Sequence, residues 1–191
     1  MAFEEVPVKL GKRYDVSEFV EDMSLPIDAK QKLKLILALE AANVALNELA
    51  YKGDKLPEIA YSTNLTINGT PRSGGFSPLW EQTGQPTLFI DLSSHPAEKA
   101  FDGETLAILR QKGWDEEFLN KYSVVSTMLE ETYHFVDHTK GLLPTGRDKQ
   151  GRLPGYENYY DQPHEHRARA FSIAAASKYF LSLIADKPNL Y

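Results

Sequence analysis

The stretch Ser123–Thr139, SVVSTMLEETYHFVDHT, decides how this sequence is interpreted. Its apolar positions recur at helical spacing and fall on one side, together with a threonine: Val125, Met128, Leu129, Thr132 and Val136. Glu130, His134 and His138 are four residues apart, so they line the other side of the same helix, with Glu131 beside His134. The pattern predicts a helix with one face in the core and one face that carries metal-ligand side chains.

A second helix is predicted to supply further ligands. It begins at Pro163, a residue suited to the first helical position, and runs to about Ala185. Glu165 lies in its first turn between His164 and His166. The chain contains no cysteine, so a metal has to be held by His, Asp or Glu. We therefore expect a metal ion between the two helices.

The segment Glu130-Glu131-Thr132-Tyr133-His134 resembles the HExxH helix of zincin-type metallopeptidases, with Glu130 where the first His normally stands. In that family a small meander ending in an edge strand precedes the helix, and a later helix supplies a third ligand, frequently Glu. This chain offers both in that order, with Thr87–Leu92 as the edge strand and Glu165 as the third ligand. By element order the resemblance covers roughly residues 30 to 185, but its specific part is only the EExxH segment and Glu165.

The resemblance implies a role for each of these residues. Glu130, His134 and Glu165 would hold a divalent metal, and Glu131 would be the general base that activates a metal-bound water to hydrolyse a peptide or protein substrate. Zinc is the first choice of metal; the extra carboxylate of Glu130 makes the site harder and brings iron or manganese into consideration.

Several alternatives stay open at this stage. His138, His164 and His166 are possible additional ligands. Transition-state groups could come from His166 or from tyrosines of the preceding loop, namely Tyr156, Tyr159 and Tyr160. The chain could instead be an inactive binding or structural module of the same fold, or a non-peptidase carboxylate/histidine metal protein. The polar helix face could also simply be solvated.

The rest of the chain predicts an α+β fold. Asp28–Leu49 has the pattern of a long amphipathic helix behind an Asp cap, which we expect to back a small mixed or antiparallel sheet between Lys52 and Leu92. Shorter helices are expected at Glu104–Gln111 and Asp115–Tyr122. The predicted organisation is an N-terminal arm, residues 1–28, and a single zincin-like domain, residues 29–191, made of the backing helix, the sheet, the metal-site helix and a C-terminal third-ligand helix.

Composition narrows the classes of partner. The chain of 191 residues has a formal net charge of -6 and no cluster of Lys and Arg, which argues against nucleic acid or an anionic membrane as its main partner. Its N-terminal residues lack an apolar signal region, and no stretch approaches the ~18 apolar residues of a membrane span. We expect a cytoplasmic protein.

Overall fold

A computed structural model describes residues 10–21, 26–93, 103–147 and 152–186 of the chain. The described part is α+β, as the sequence predicts. Its α-helices are α1 Val16–Glu21, α2 Ala29–Glu48, α3 Gly103–Gln111, α4 Glu116–Thr139 and α5 Pro163–Asp186, with a 3-10 helix at Tyr159–Asp161. Its strands are β1 Glu58–Ser62, β2 Thr66–Ile67, β3 Thr70–Pro71, β4 Gly74–Ser77 and β5 Thr87–Asp91.

Helix α2 begins where the sequence predicts. The Asp28 side chain accepts a hydrogen bond from the backbone N–H of Gln31, and the Gln31 side chain accepts one from the backbone N–H of Asp28. Such a capping box satisfies two backbone donors that a helix start otherwise leaves unpaired, and is worth about 1 kcal/mol.

The mixed sheet has the strand order β1-β5-β4. β5 is parallel to β1 and antiparallel to β4. The prediction of Thr87–Leu92 as the edge strand is therefore wrong, because β5 occupies the centre. Its residues explain the position: Leu88 and Ile90 on one face and Thr87 and Asp91 at its ends are buried, as expected for a strand covered by neighbours. The edge beside the site helix is instead β4.

The Asn68-Gly69 turn joins the short hairpin of β2 and β3. Both turn residues have positive φ, 51° for Asn68 and 74° for Gly69. This is the backbone conformation that a two-residue hairpin of matching twist requires, and asparagine and glycine adopt it most readily.

Helix α4 is longer than predicted. It starts at Glu116, with Asp115 as its N-cap, and continues without a break to Thr139. The separate helix predicted at Asp115–Tyr122 is therefore the first part of α4. No glycine or proline occurs between Glu116 and Thr139, so nothing in the sequence interrupts the helical hydrogen bonds.

The main core lies around α4, which packs against α2, α5 and the sheet. Its fully buried side chains come from these elements: Leu35, Leu39, Leu46, Leu88, Ile90, Val125, Met128, Leu129 and Ala176. A smaller cluster around Leu106 and Leu119 fills the corner between α3 and α4. Among the described residues, no helix is long and apolar enough to cross a bilayer.

The described part of the predicted N-terminal arm is attached to α2 and to the loop after it. The Tyr14 backbone N–H donates to the side-chain oxygen of Asn43, and the Tyr14 hydroxyl donates to the carbonyl of Pro57 at 2.7 Å. The division into an arm of residues 1–28 and a domain of residues 29–191 stays a prediction.

Candidate metal centre

Helices α4 and α5 bring three of the predicted ligands together. Glu130, His134 and Glu165 each offer one ligand atom, and these atoms all lie within 4.8 Å of one another. Glu130 and His134 are one turn apart on α4, and Glu165 is in the first turn of α5. Three bonds of about 2 Å can converge on one ion only from such a compact set of donors. The group can therefore hold a divalent metal.

Packing fixes the rotation of α4. Met128, Leu129 and Thr132 are completely buried on its core side, and the Thr132 hydroxyl donates to the carbonyl of Met128 at 2.7 Å. Because the helix cannot turn without exposing this face, Glu130 and His134 are held on the side that faces α5.

A buried glutamine holds the start of α5. The side chain of Gln162 accepts a hydrogen bond from the Leu153 backbone N–H at 2.8 Å and donates to the carbonyl of Tyr159 at 2.7 Å. Pro163 is the first residue of α5. Proline lacks a backbone N–H, but the first N–H groups of a helix have no acceptor within the helix, so nothing is lost at this position. These contacts place Glu165 against His134.

The carboxylate of Glu165 is enclosed by two imidazoles. Its Oε2 lies 3.2 Å from Nε2 of His134 and its Oε1 lies 2.9 Å from Nε2 of His164. Among the described residues, Nδ1 of His134 and Nε2 of His164 have no aligned hydrogen-bond partner, although both are buried. Buried polar atoms without partners are rare, and a cation is one of the few explanations. These donors are of the types that bind divalent metals.

The electrostatics of the cluster also favour a cation. Burial raises the pKa of Glu130, an effect that the charge of Arg169 opposes and that of Glu165 reinforces. Burial lowers the pKa of His134, but the adjacent Glu165, Glu131 and Glu130 carboxylates outweigh it, so that the pKa is raised overall. The carboxylates of Glu130, Glu131 and Glu165 lie close together and are partly shielded from water, so their negative charges repel one another. A divalent cation would relieve that repulsion.

Glu131 stands beside this group. Burial raises its pKa to about 7, with the His134 charge opposing the rise and the charges of Glu130 and Glu165 adding to it. Its Cγ is near strand β4, where a Cβ placed on Gly74 would lie 3.9 Å from it. A carboxylate that titrates near neutral pH suits a general base.

His164 fits the group better than the other additional candidates. It is buried, and its ring centroid lies 6.0 Å from that of His134. Burial lowers its pKa, and the Glu165 charge only partly opposes this, so the ring is held neutral. Its nitrogen can support Glu165 or complete the ligand set.

The remaining candidate residues lie outside the three-residue group. His138 packs its ring against Phe76, with centroids 5.8 Å apart. His166 is exposed on α5. Tyr160 contacts two arginines rather than the ligands: its hydroxyl accepts from Arg72 at 3.3 Å, and Arg169 lies over its ring.

The structure adds residues that the sequence did not rank. Tyr159, rather than Tyr160, is the loop tyrosine that lies beside Glu165: burial raises the pKa of its hydroxyl, and the charge of Glu165 and a hydrogen bond to it raise the pKa further. Nε and Nη2 of Arg147 are buried and have no hydrogen-bond partner in the part of the chain that the structure describes. The charge of Arg147 helps lower the pKa of His164, after the larger effect of burial. No spacing rule pointed to Arg147, because it lies in an irregular loop.

Comparison with models of protein families, with curated proteins and with solved structures finds no match for this chain. The indication of its function is therefore the Glu130, His134 and Glu165 cluster with the residues around it.

Proposed function

We propose that the chain is a metal-dependent hydrolase of peptide bonds, in which Glu130, His134 and Glu165 hold a divalent ion and Glu131 is the general base. The observation that carries the proposal is the convergence of three buried or half-buried ligand atoms within 4.8 Å, together with the burial of the Glu165 carboxylate against two imidazoles. On a solvated helix face such a carboxylate would be exposed to water rather than buried.

The donor set suits zinc and also suits harder metals. Zinc takes imidazole nitrogen and carboxylate oxygen, whereas a second carboxylate moves the preference toward iron or manganese. Two carboxylates balance the charge of a divalent ion, and the neutral His164 ring is available on the other side of Glu165. We propose zinc first because its four-coordinate sites need few ligands.

Glu131 is the residue proposed to move the proton. A bound divalent metal would supply Lewis acidity, polarising the scissile carbonyl and making water more acidic. Glu131 accepts the proton at its carboxylate and returns it to the leaving amine. Its pKa of about 7 keeps it near the balance between base and acid that both steps need. The hydroxyl of Tyr159 hydrogen-bonds to Glu165 and would orient this ligand.

The edge strand β4 supports a peptide as the substrate. Within the described residues β4 pairs only with β5, so its other edge leaves backbone groups for an extended chain. Gly74 brings this strand close to α4, where a Cβ would lie 2.6 Å from Cγ2 of Thr127 and 3.9 Å from Cγ of Glu131. A peptide that added to β4 by backbone hydrogen bonds would pass beside the general base.

Metal content and hydrolysis test the proposal together. Protein stripped with a chelator and dialysed against zinc, manganese or iron(II) should bind one equivalent of at least one of them, and Glu165→Gln should reduce the amount. The metal-loaded protein should cleave bonds in a pool of synthetic peptides, detected by mass spectrometry. Glu131→Gln should keep the metal and lose about 10²- to 10⁴-fold in rate.

Two results would separate the alternatives. Stoichiometric metal with no hydrolysis of any peptide in the pool would support a binding module and refute the peptidase. Absence of bound metal under all three conditions would refute the metal centre itself.

A further inference from the structure

Two arginines enclose Tyr160 on the solvent side of the proposed metal centre. Nη1 of Arg72 donates to the Tyr160 hydroxyl at 3.3 Å. The guanidinium carbon of Arg169 lies 4.0 Å from the centroid of the Tyr160 ring, a distance at which a cation interacts with an aromatic face. We call Arg72 and Arg169 the arginine pair. Tyr160 between them is 40% exposed, so a ligand can reach these side chains.

The arginine pair lies next to the two adjacent glutamates of α4. Nε of Arg169 is 3.9 Å from Oε1 of Glu130. Burial raises the pKa of Glu131, and the charge of Arg72 is one of those that oppose this rise. Each arginine is therefore electrostatically coupled to one glutamate of the site.

The positive charges of the pair are only weakly compensated. The Arg169 contact with Glu130 is at the long limit for an ion pair, and the Arg169 side chain is 42% exposed. Arg72 is exposed and makes no ion pair with another described residue. If Glu130 bound a metal, the cation would neutralise part of its negative charge and so weaken its attraction for Arg169. Two guanidinium groups are thus accessible to solvent beside the site, on a chain whose net charge is -6.

The position of Arg72 relates the pair to the path of a peptide. Arg72 lies between β3 and the edge strand β4, which begins at Gly74. A chain lying along β4 would pass close to Arg72, which is connected to Arg169 through their shared contacts with Tyr160. The distance from Glu131 to Gly74 places this path beside the proposed general base.

We propose that a carboxylate of the substrate binds between Arg72 and Arg169, so that the enzyme prefers peptides with an acidic group near the hydrolysed bond. This inference rests on the proposed peptidase function and specifies its substrate class. Guanidinium groups recognise carboxylates by paired N–H donors, and Arg can do so while it stacks on an aromatic ring. The carboxylate can belong to an Asp or Glu side chain or to the chain terminus. The competing interpretation is a structural clasp, in which the arginines only hold Tyr160.

Two pairs of fluorescein-labelled peptide pools distinguish these possibilities. In the first pair, random short peptides differ only by Glu or Gln at a fixed central position. In the second, the central residue is Gln and the C-terminus is either a free acid or an amide. Binding to the zinc-loaded protein is measured by fluorescence polarisation, and hydrolysis is measured by mass spectrometry.

We expect at least one acidic pool to bind on the order of tenfold more tightly than its neutral counterpart, with the preference reduced at high salt. Arg72→Gln and Arg169→Gln should each weaken the preference, and the double variant should abolish it. Arg110→Gln is the matched control, because it removes an arginine from α3 that pairs with Glu116. Metal content is measured for every variant, since Arg169 lies near Glu130.

Each outcome decides between the two claims. Cleavage or binding without an acidic preference in wild type, or a preference that survives in the double variant, overturns the inference and leaves the peptidase standing. An arginine-dependent preference in binding without cleavage supports the acidic site and refutes the peptidase. Neither binding nor cleavage of any pool overturns both.

Discussion

Nε2 of His134 and Oε2 of Glu165 are 3.2 Å apart, on two different helices. Two ligands that share a tetrahedral ion through bonds of about 2.1 Å are separated by about 3.4 Å. The observed separation is close to that value. The pair is therefore arranged much as two metal ligands would be, and its contribution to folding should depend on a cation.

Metal binding should raise the thermal stability of the chelated protein. At a metal concentration of about 100 times the dissociation constant, linkage adds about 2.7 kcal/mol, which corresponds to roughly 5 to 10 °C for a chain of this size. Differential scanning fluorimetry with and without zinc measures the shift. His134→Gln should remove it, whereas His166→Gln, an exposed histidine of the same helix as Glu165, should retain it. Equal shifts in both variants would contradict the ligand assignment.

His164 should act as a positioning residue for Glu165. Its Nε2 lies 2.9 Å from Oε1 of Glu165 and can direct the other carboxylate oxygen toward His134. Loss of a residue that orients a ligand typically costs 10- to 100-fold in metal affinity. We expect His164→Gln to weaken zinc binding by that amount in a chelator competition assay. Urea unfolding in excess chelator should change little by comparison, and an unchanged zinc affinity would rule out this role.

The local part of the site could be read from the sequence. Residues four apart on a helix face the same way, so the convergence of Glu130 and His134 follows from their spacing alone. Pro163 and the cap at Asp28 mark helix starts by local chemistry, and the structure has helices at both places.

The parts that depend on distant contacts could not be read in this way. The central position of β5 is set by pairing with β1 and β4, and an apolar strand has the same local pattern in several sheet orders. Arg72 and Tyr160 are 88 positions apart, so no spacing rule connects them. Which of the adjacent residues Tyr159 and Tyr160 contacts Glu165 likewise depends on how the chain passes from the 3-10 helix into α5.

The metal-free protein should lose stability as the pH rises from 4.5 to 7. Glu131 has a pKa of about 7 in the folded chain against 4.5 in the unfolded chain, so the folded state binds more protons within this window. The pKa of His134 is also raised in the folded chain, so this residue likewise stabilises the protein less as the pH rises above 6.5. Glu131 alone contributes on the order of 3 kcal/mol, fully present below pH 4.5 and lost above pH 7.

Urea unfolding in excess chelator across this pH range tests the point. Glu131→Gln cannot titrate, so its stability should vary less between pH 4.5 and 7 and should exceed that of wild type at neutral pH. Glu117→Gln, an exposed residue of the same helix that pairs with Lys121, is the control and should keep the wild-type slope. A slope unchanged in Glu131→Gln would show that the carboxyl is not desolvated.

The close approach of β4 to α4 should make Gly74 intolerant of a side chain. A Cβ at this position would lie 2.6 Å from Cγ2 of Thr127 and 2.8 Å from the carbonyl oxygen of Phe89 in β5. Both distances are below contact, and one partner is backbone, so the strand must shift. We expect Gly74→Ala to lower the free energy of unfolding by about 1 to 3 kcal/mol in urea titrations.

Gly103→Ala provides the matched control, because a Cβ there meets nothing within 4 Å and alanine is the better helix former at the start of α3. It should leave stability unchanged or slightly raised. In Gly74→Ala, adding Thr127→Ser removes the methyl group at 2.6 Å and should restore part of the loss, a coupling that only direct contact explains. Gly74→Ala also tests whether β4 guides the substrate past Glu131. If it does, the variant should lose more peptide hydrolysis than bound metal. An equal loss of both would mean that β4 supports the metal ligands instead.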